Sequence, residues 1–302
     1  MNLPNYESIY IGSLGAIPIS IPIIKFGQDK PKNVVVTGLH GGEESGLQIM
    51  SDLIKQIPDN FKGELILVPS GSPVTQAFKS RWSPIDAGNP NRQFPGSDQG
   101  NFSARNGAAL AQVFANADLV IDLHCFSQDC AFTGIFVDQG SDLVKKKSAE
   151  YLQALQPDVI WKEKETTPDG LPSTLTVDGY CRTIDVPSFT VEMPRADQLE
   201  PELRTRIVES LKQVLFNQTG NQKKDIPVIV RQDFRANESG LFTPLAKAMD
   251  QVESGQVIGK ITSTTTLEET EIKNQLTGLM FLIARPGLIR TGDKMYSIGI
   301  PQ

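Results

Sequence analysis

Only two histidines occur in the 302 residues, His40 and His124, and each stands where a run of apolar and β-branched residues ends. His40 follows Val34-Val-Val-Thr-Gly-Leu and precedes Gly41-Gly42-Glu43-Glu44, while His124 closes Asp118-Leu-Val-Ile-Asp-Leu. A catalytic zinc site takes three nitrogen or oxygen ligands and leaves one position open to water. His40, Glu43 and His124 supply that set, as a His-x-x-Glu pair converging across a turn plus one distant histidine. A lone histidine is more often a hydrogen-bonded core residue. Here both histidines end buried strands and one has Glu at the third position, which favours one zinc ion per chain. Asp122 precedes His124 by two and shares its side of a strand. It reads either as a carboxylate behind the ligand or as a structural cap, and the sequence leaves both open.

Hydrolysis at such a metal needs a carboxylate that takes a proton from water and returns it to the leaving amine. Glu192 is the candidate, because it ends the buried run Pro187-Ser-Phe-Thr-Val and precedes Met193-Pro194. Glu44 competes for that task, but beside a helix start it fits the helix dipole better. A developing oxyanion needs a fixed cation, and a substrate carboxylate suits a bidentate guanidinium. Arg81, Asn91 and Arg92 share one irregular stretch rich in Pro, Gly and Asn. On residue type alone such loop arginines read as solvated.

The elements that position these residues follow from periodicity. After Glu43, the residues Leu47, Met50, Ile54 and Ile57 recur at helical spacing over 44–57, and Pro58 stops the pattern. Gly41 and Gly42 permit the sharp turn between strand and helix. His40 therefore lies at the carboxyl end of a strand, the edge where open α/β sheets bind ligands. A hairpin is expected over 8–26, and strands over 34–39, 64–68, 118–124, 132–137, 158–162 and 187–192. Helices are expected over 105–116, 142–155 and 199–216, while 173–181 is ambiguous. This alternation predicts an α/β three-layer sandwich with a mainly parallel mixed central sheet. The polar, aperiodic stretch 217–225 marks a boundary between an α/β domain, 1–222, and a small all-β domain, 223–302. Short strand patterns at 228–230, 255–259, 279–283 and 292–296 define the second.

Hydrophobic content of 39% and charge of 21% are ordinary for a globular protein. A net charge of −6 gives no support to nucleic-acid binding, and no Lys/Arg block suggests a membrane surface. The first residues lack the basic and apolar regions of a signal peptide, and no apolar run approaches the length of a span. Cys125, Cys130 and Cys181 are odd in number and not spaced as a zinc finger, so reduced thiols in a cytoplasm are expected.

Four motifs in this order, His40-Gly-Gly-Glu43, Asn91-Arg92-Gln-Phe94-Pro95-Gly96, Asp122-Leu-His124 and Val191-Glu192, resemble the succinylglutamate desuccinylase/aspartoacylase family, a branch of the zinc-carboxypeptidase-like fold. The likeness covers about residues 30–195. It implies His40, Glu43 and His124 as zinc ligands, Glu192 as general base and acid, Asn91 and Arg92 on the substrate carboxylate, and Arg81 polarising the scissile carbonyl. Two features depart from the family pattern. Arg81 stands further before Asn91 than in short-loop members, and Cys125-Phe126-Ser127 follows His124 where a small Thr-Gly pair is common. Cys125 reads as a redox-sensitive thiol or as buried filler. The tail resembles the β domain of these enzymes, which is like a lipoyl or biotinyl carrier barrel. Carriers modify a lysine at a hairpin tip, and Lys273 is the nearest candidate, without a flanking motif. The domain reads as a lid or an assembly surface.

The resulting expectation is a cytoplasmic zinc amidohydrolase acting on a small N-acyl amino acid, with self-association into a homo-oligomer left open. A metallocarboxypeptidase acting on short peptides is the enzymic alternative, and the β domain would obstruct a long peptide. A non-catalytic binding or carrier protein using the β domain is the other, against which a complete set of ligands and base argues.

Overall fold

The computed structural model describes residues 3–163, 165–216 and 225–302. The expected boundary between residues 222 and 223 lies outside them.

The strand Leu119–Cys125 is buried along its whole length near the middle of a thirteen-stranded sheet. Alternation decides what covers it. Leu119, Ile121 and Leu123 point to a core built with Ile49, Met50, Leu53, Leu152, Leu155, Ile207 and Leu211, from the helices Ser45–Ile54, Asp142–Leu155 and Pro201–Phe216. Val120 points the other way, toward Leu110, Phe114, Val177 and Cys181 of the helices Phe102–Phe114 and Val177–Thr183. Helices thus cover both faces, and near-continuous apolar strands are the sequence signature of that arrangement.

The sheet runs in the order Asn5–Leu14, Ile17–Gly27, Glu64–Val68, Lys32–Thr37, Leu119–Cys125, Ser188–Met193, Thr133–Val137 and Val159–Glu163. It then continues through Val228–Arg235, Lys294–Pro301, Gly278–Ile283 and Gln251–Val252. Parallel pairing joins Glu64–Val68 through Ser188–Met193, and again Thr133–Val137 through Val228–Arg235. The other neighbours on this path are antiparallel, so the sheet is mixed and less parallel than expected. The cause is local. The first two strands form the expected hairpin, and the C-terminal strands add as antiparallel neighbours. The connection over 126–132 is too short for a parallel crossover, so Thr133–Val137 runs against Ser188–Met193.

The C-terminal segment is all β, as expected, but its strands divide between two sheets. Four extend the large sheet, with Val228 opposite Ile160 and Ile229 opposite Trp161. The others form an antiparallel sheet, Glu269–Lys273, Val257–Thr262, Gly240–Pro244 and Gly287–Ile289. Phe242, Ile258, Ile261, Met280 and Ile298 pack together between them. Lys273 lies in the ladder opposite Val257, at the end of its strand away from the turn over 263–268. The ambiguous stretch resolves as a short turn, Ser173–Leu175, then the helix Val177–Thr183, capped by Thr176 accepting from the Gly179 amide. Among the described residues no helix is long and apolar enough to cross a membrane.

The turn after Lys32–Thr37 differs in detail from its expected form. Gly38 carries the left-handed backbone, φ +72°. Gly41 is needed for close approach, since a Cβ there would lie 1.7 Å from the Thr75 carbonyl oxygen, whereas one on Gly42 would meet nothing within 4 Å. The helix starts at Ser45, with Glu44 as its N-cap making no side-chain cap bond, so Glu43 is in the turn and not in the helix. Gly41→Ala should therefore destabilise the protein by about 1–3 kcal/mol, and Gly42→Ala should stay within about 0.5 kcal/mol of the parent. Urea unfolding of the two variants checks this contrast, and equal midpoints would remove the close-packing account of the turn.

Candidate active site

Strand register builds the floor of the site. Asp122 and His124 follow Val120 on the same face of their strand, two and four residues on. Directly across lie Thr190 and Glu192, then Ile135 opposite Thr190 and Trp161 opposite Ile135. Glu163 follows Trp161 by two and is opposite Val137. Residues directly opposite project to one face, so His124, Glu192, Asp122, Trp161 and Glu163 share it. These residues, except Asp122, line a cavity of about 570 Å³ with His40, Glu43, Arg81 and Arg92. Strands after residue 225 supply Arg231, Asp233, Arg235 and Lys294 to the same cavity.

His40 comes from the turn beyond Lys32–Thr37, which is fixed by backbone contacts. Thr75 Oγ1 donates to the Leu39 carbonyl at 2.7 Å, and the Gly41 amide donates to the Ser80 carbonyl at 2.9 Å. Ser45 Oγ donates to the Pro194 carbonyl at 2.6 Å, tying the helix start to the segment after Glu192.

The three expected ligands converge. Their donor atoms all lie within 4.8 Å of one another. Glu43 sits between the imidazoles, with Oε1 2.8 Å from His40 Nδ1 and Oε2 2.6 Å from His124 Nδ1. Each ring is held from behind: His40 Nε2 is 3.0 Å from Asn89 Oδ1, and His124 Nε2 is 2.7 Å from Asp122 Oδ2. Anchoring both Nε2 atoms on oxygens turns both Nδ1 atoms to the shared centre, the arrangement that orients metal ligands. Of the two readings of Asp122, the structure shows a carboxylate behind the His124 ring. Asn89 was not anticipated, because one Asn in a polar loop carries no signal of which ring it faces.

The charged groups of the cluster shift one another. Burial alone would raise the carboxyl of Glu43, but His40 and His124 outweigh it and hold it well below the usual range. Burial opposes a charged His124, yet Asp122 and Glu43 push it well above its ordinary value. His40 is lowered, chiefly by burial. Two nitrogens, one carboxylate and a buried setting make a donor set suited to zinc.

Glu192 is paired in register with His124. Its Oε2 is buried with no hydrogen-bond partner among the described residues. Burial, and after it the charge of Glu43, raise its carboxyl to about 8. Arg81 leans over the cluster from the loop, half exposed, with Nη1 3.3 Å from His40 Nδ1 and 3.4 Å from Glu43 Oε1. Arg92 is nearly buried and donates through Nε and Nη2 to Asp169 Oδ1 at 3.2 and 3.0 Å. Asn91 turns inward: its Nδ2 contacts His124 Nε2 and Asp122 Oδ2 at 3.2 and 3.4 Å, and its Oδ1 accepts from the Val177 amide at 2.9 Å. Its amide therefore supports the ligand network, a placement its spacing to Arg92 does not reveal. Glu44 points away and pairs with Lys79 at 3.7 Å. All three cysteines are buried free thiols, and burial pushes Cys125 up to about 12, consistent with filler.

A family model described as the succinylglutamate desuccinylase/aspartoacylase catalytic domain matches residues 29–216. The N-alpha-acetyl-L-2,4-diaminobutyric acid deacetylase of Halomonas elongata is 30% identical over 112 residues. That alignment covers 36% of this chain and spans only 32% of the relative's length. The succinylglutamate desuccinylase/aspartoacylase of Rhodobacter sphaeroides superposes with a TM-score of 0.81 at 18% identity, over 100% of this chain and 96% of that one. The product-bound ectoine utilization protein EutE (DoeB) of Ruegeria pomeroyi gives 0.84 at 19% identity, over 99% and 95%. At such identities these structures share the fold.

Proposed function

The chain belongs to the succinylglutamate desuccinylase/aspartoacylase family, and from that premise we propose that it is a zinc-dependent deacylase that hydrolyses the amide bond of a small N-acyl amino acid. One observation carries this reading: Glu192, whose buried Oε2 has no hydrogen-bond partner among the described residues, lies in register beside the His40, Glu43 and His124 cluster. The Halomonas relative, named for removing the acetyl group from an N-acetylated amino acid, supports the same reaction class.

Zinc held by His40, Glu43 and His124 would supply Lewis acidity and lower the pKa of water to near neutrality. The chain's own groups do the rest. Glu192 takes a proton from the attacking water on a carboxylate oxygen and returns it to the leaving nitrogen. A carboxyl raised by its surroundings suits both halves of that transfer. Arg81, half exposed beside His40 and Glu43, offers N–H donors where the carbonyl oxygen gains charge. Arg92 binds the substrate carboxylate in competition with Asp169, and Asn91 donates to the Asp122 carboxylate that holds the His124 ring. We take 1–222 as the hydrolase unit and 223–302 as the β unit that walls the cavity. That wall favours a small substrate over a peptide chain. Buried, unpaired cysteines support a reducing compartment.

The test is a screen of N-acetyl, N-succinyl and N-formyl amino acids with amine release as the readout. Activity should disappear on chelation and return with zinc. Metal-independent turnover, or none on any N-acyl amino acid, would reject the proposal. The arginines should separate in the same assay. Arg92→Ala is expected to raise KM with little change in kcat, since a carboxylate clamp acts alike on substrate and transition state. Arg81→Ala is expected to lower kcat, because it meets charge that develops only in the transition state. Steady-state kinetics with the reverse pattern would exchange the two roles.

A further inference from the structure

The edge of a sheet presents unpaired amides and carbonyls to any other strand, so its length and charge decide what it attracts. Among the described residues the two sheets end on four strands. Gln251–Val252 and Gly287–Ile289 are two and three residues long. Glu269–Lys273 carries Glu269, Glu271 and Lys273 within five residues. Shortness or charge blunts each of these three. Asn5–Leu14 has neither protection: it runs for ten residues without Lys or Pro, and its one charged residue is Glu7. Only its inner side is paired, with Ile17–Gly27. Lys25 of that neighbour holds Glu7 at 2.7 Å, so the edge carries no unmatched charge.

The two faces of this strand differ. Ile9 and Ile11 turn to the core that holds Phe102, Leu110 and Phe114 of the helix Phe102–Phe114. Tyr6, Ser8 and Tyr10 alternate with them on the opposite face, where the two tyrosines are 71% and 64% exposed. A bulge between Tyr10 and Gly12 ends the regular ladder, so Asn5 to Tyr10 form the straight part of the edge. Within that part the pattern Tyr6-x-Ser8-x-Tyr10 reads the same in both chain directions.

We propose that this edge is the docking surface for the same edge of a second copy of the chain, antiparallel about a two-fold axis that passes through Ser8 perpendicular to the sheet. Such an axis keeps each sheet face on its own side and makes every contact twice. Ser8 then faces Ser8, and each Tyr6 faces the Tyr10 of the other copy, two aromatic cross-strand pairs of the kind that stabilises a ladder. Glu7 faces Ile9, so like charges do not meet. The alternative registers are poorer. Centred on Glu7, the pairing sets two carboxylates opposite each other, and centred on Ile9 it sets Glu7 against the bulge and leaves Tyr6 unpaired. No residue that lines the cavity lies in the hairpin 5–27, so both copies keep an open site.

Light scattering on the whole chain, over a range of protein concentration, tests the association without any assay of turnover, so its result stands apart from the deacylase reading. The wild type should reach twice the chain mass. Tyr6→Lys/Tyr10→Lys, which charges the free edge as natural edges are charged, should stay at the mass of one chain. Cross-linking tests the register. Residues that face each other across antiparallel strands lie within reach of a disulfide, and the three native cysteines are buried. Under mild oxidation with diamide, Ser8→Cys should become a covalent dimer at least about 10-fold faster than Ser13→Cys, which is exposed beyond the bulge and far from its own copy in the proposed pairing. A wild type that stays at one chain mass throughout the range would overturn the proposal. A dimer that survives both lysines, or equal cross-linking of the two cysteine variants, would overturn it too, by placing the contact on another face. The cross-linking comparison decides the matter even if the double lysine variant does not fold.

Discussion

Zinc-loaded Glu192→Gln is expected to turn over roughly 10²–10⁴ more slowly than the wild type, the usual contribution of a positioned acid or base. Its zinc content and substrate affinity should be retained. Gln keeps the size and shape of Glu but cannot accept a proton, and the wild-type Oε2 has no hydrogen bond in the described structure for the substitution to break. The strand Ser188–Met193 holds position 192 in register with His124, so the backbone should not respond. Rapid mixing of the zinc-loaded variant with excess substrate measures the effect directly. Activity within a few-fold of the wild type would remove Glu192 from the mechanism and leave it as a structural strand-end residue.

The other large effect concerns the metal. His124→Ala is expected to lower zinc from one per chain to almost none, and activity with it. Removing this ring deprives Glu43 of its closest partner, at 2.6 Å, and Asp122 of the nitrogen it holds at 2.7 Å. Asp122→Asn should be milder. The ring keeps its place but loses a charged anchor, and such changes cost roughly 10- to 100-fold in metal affinity. Elemental analysis after dialysis, followed by competition with a chelator, orders the three proteins. Thermal unfolding offers an independent check, because zinc at a hundred times its Kd stabilises by about 2.7 kcal/mol. His124→Ala should lose that increment. Equal zinc in wild type and His124→Ala would sink the proposed site.

Much of this centre is legible in the sequence because it depends on local order. His40 and Glu43 are neighbours across one turn. Asp122 and His124 are two apart on one strand, so alternation alone puts them on the same face. The helix Asp142–Leu155 is found at its expected bounds, since its apolar spacing and its ends are local too. What periodicity could not show is register between distant strands. Only the pairing of Val137 with Glu163 and of Ile135 with Trp161 brings Glu163 to the cavity face, and no motif surrounds it. The inward turn of Asn91 likewise depends on the Val177 amide, 86 residues away. The parallel character of the sheet was overestimated for a similar reason. Strand length and hydrophobicity are the same in both directions, and only the length of each connection decides.

The pairing of Val228 with Ile160 and of Ile229 with Trp161 also governs where this chain can be cut. A fragment ending near residue 216, where the family match stops, would turn Val159–Glu163 into an outer strand with unpaired amides and carbonyls. Val159 and Trp161 would at once lose Ile229, Leu279 and Phe281, which cover them in the whole protein. An apolar, open edge of that kind recruits other strands, including copies of itself. The excised catalytic portion should therefore precipitate or assemble edge to edge instead of folding as a small free enzyme. Recombination within this architecture would have to exchange the tail together with the strand it protects.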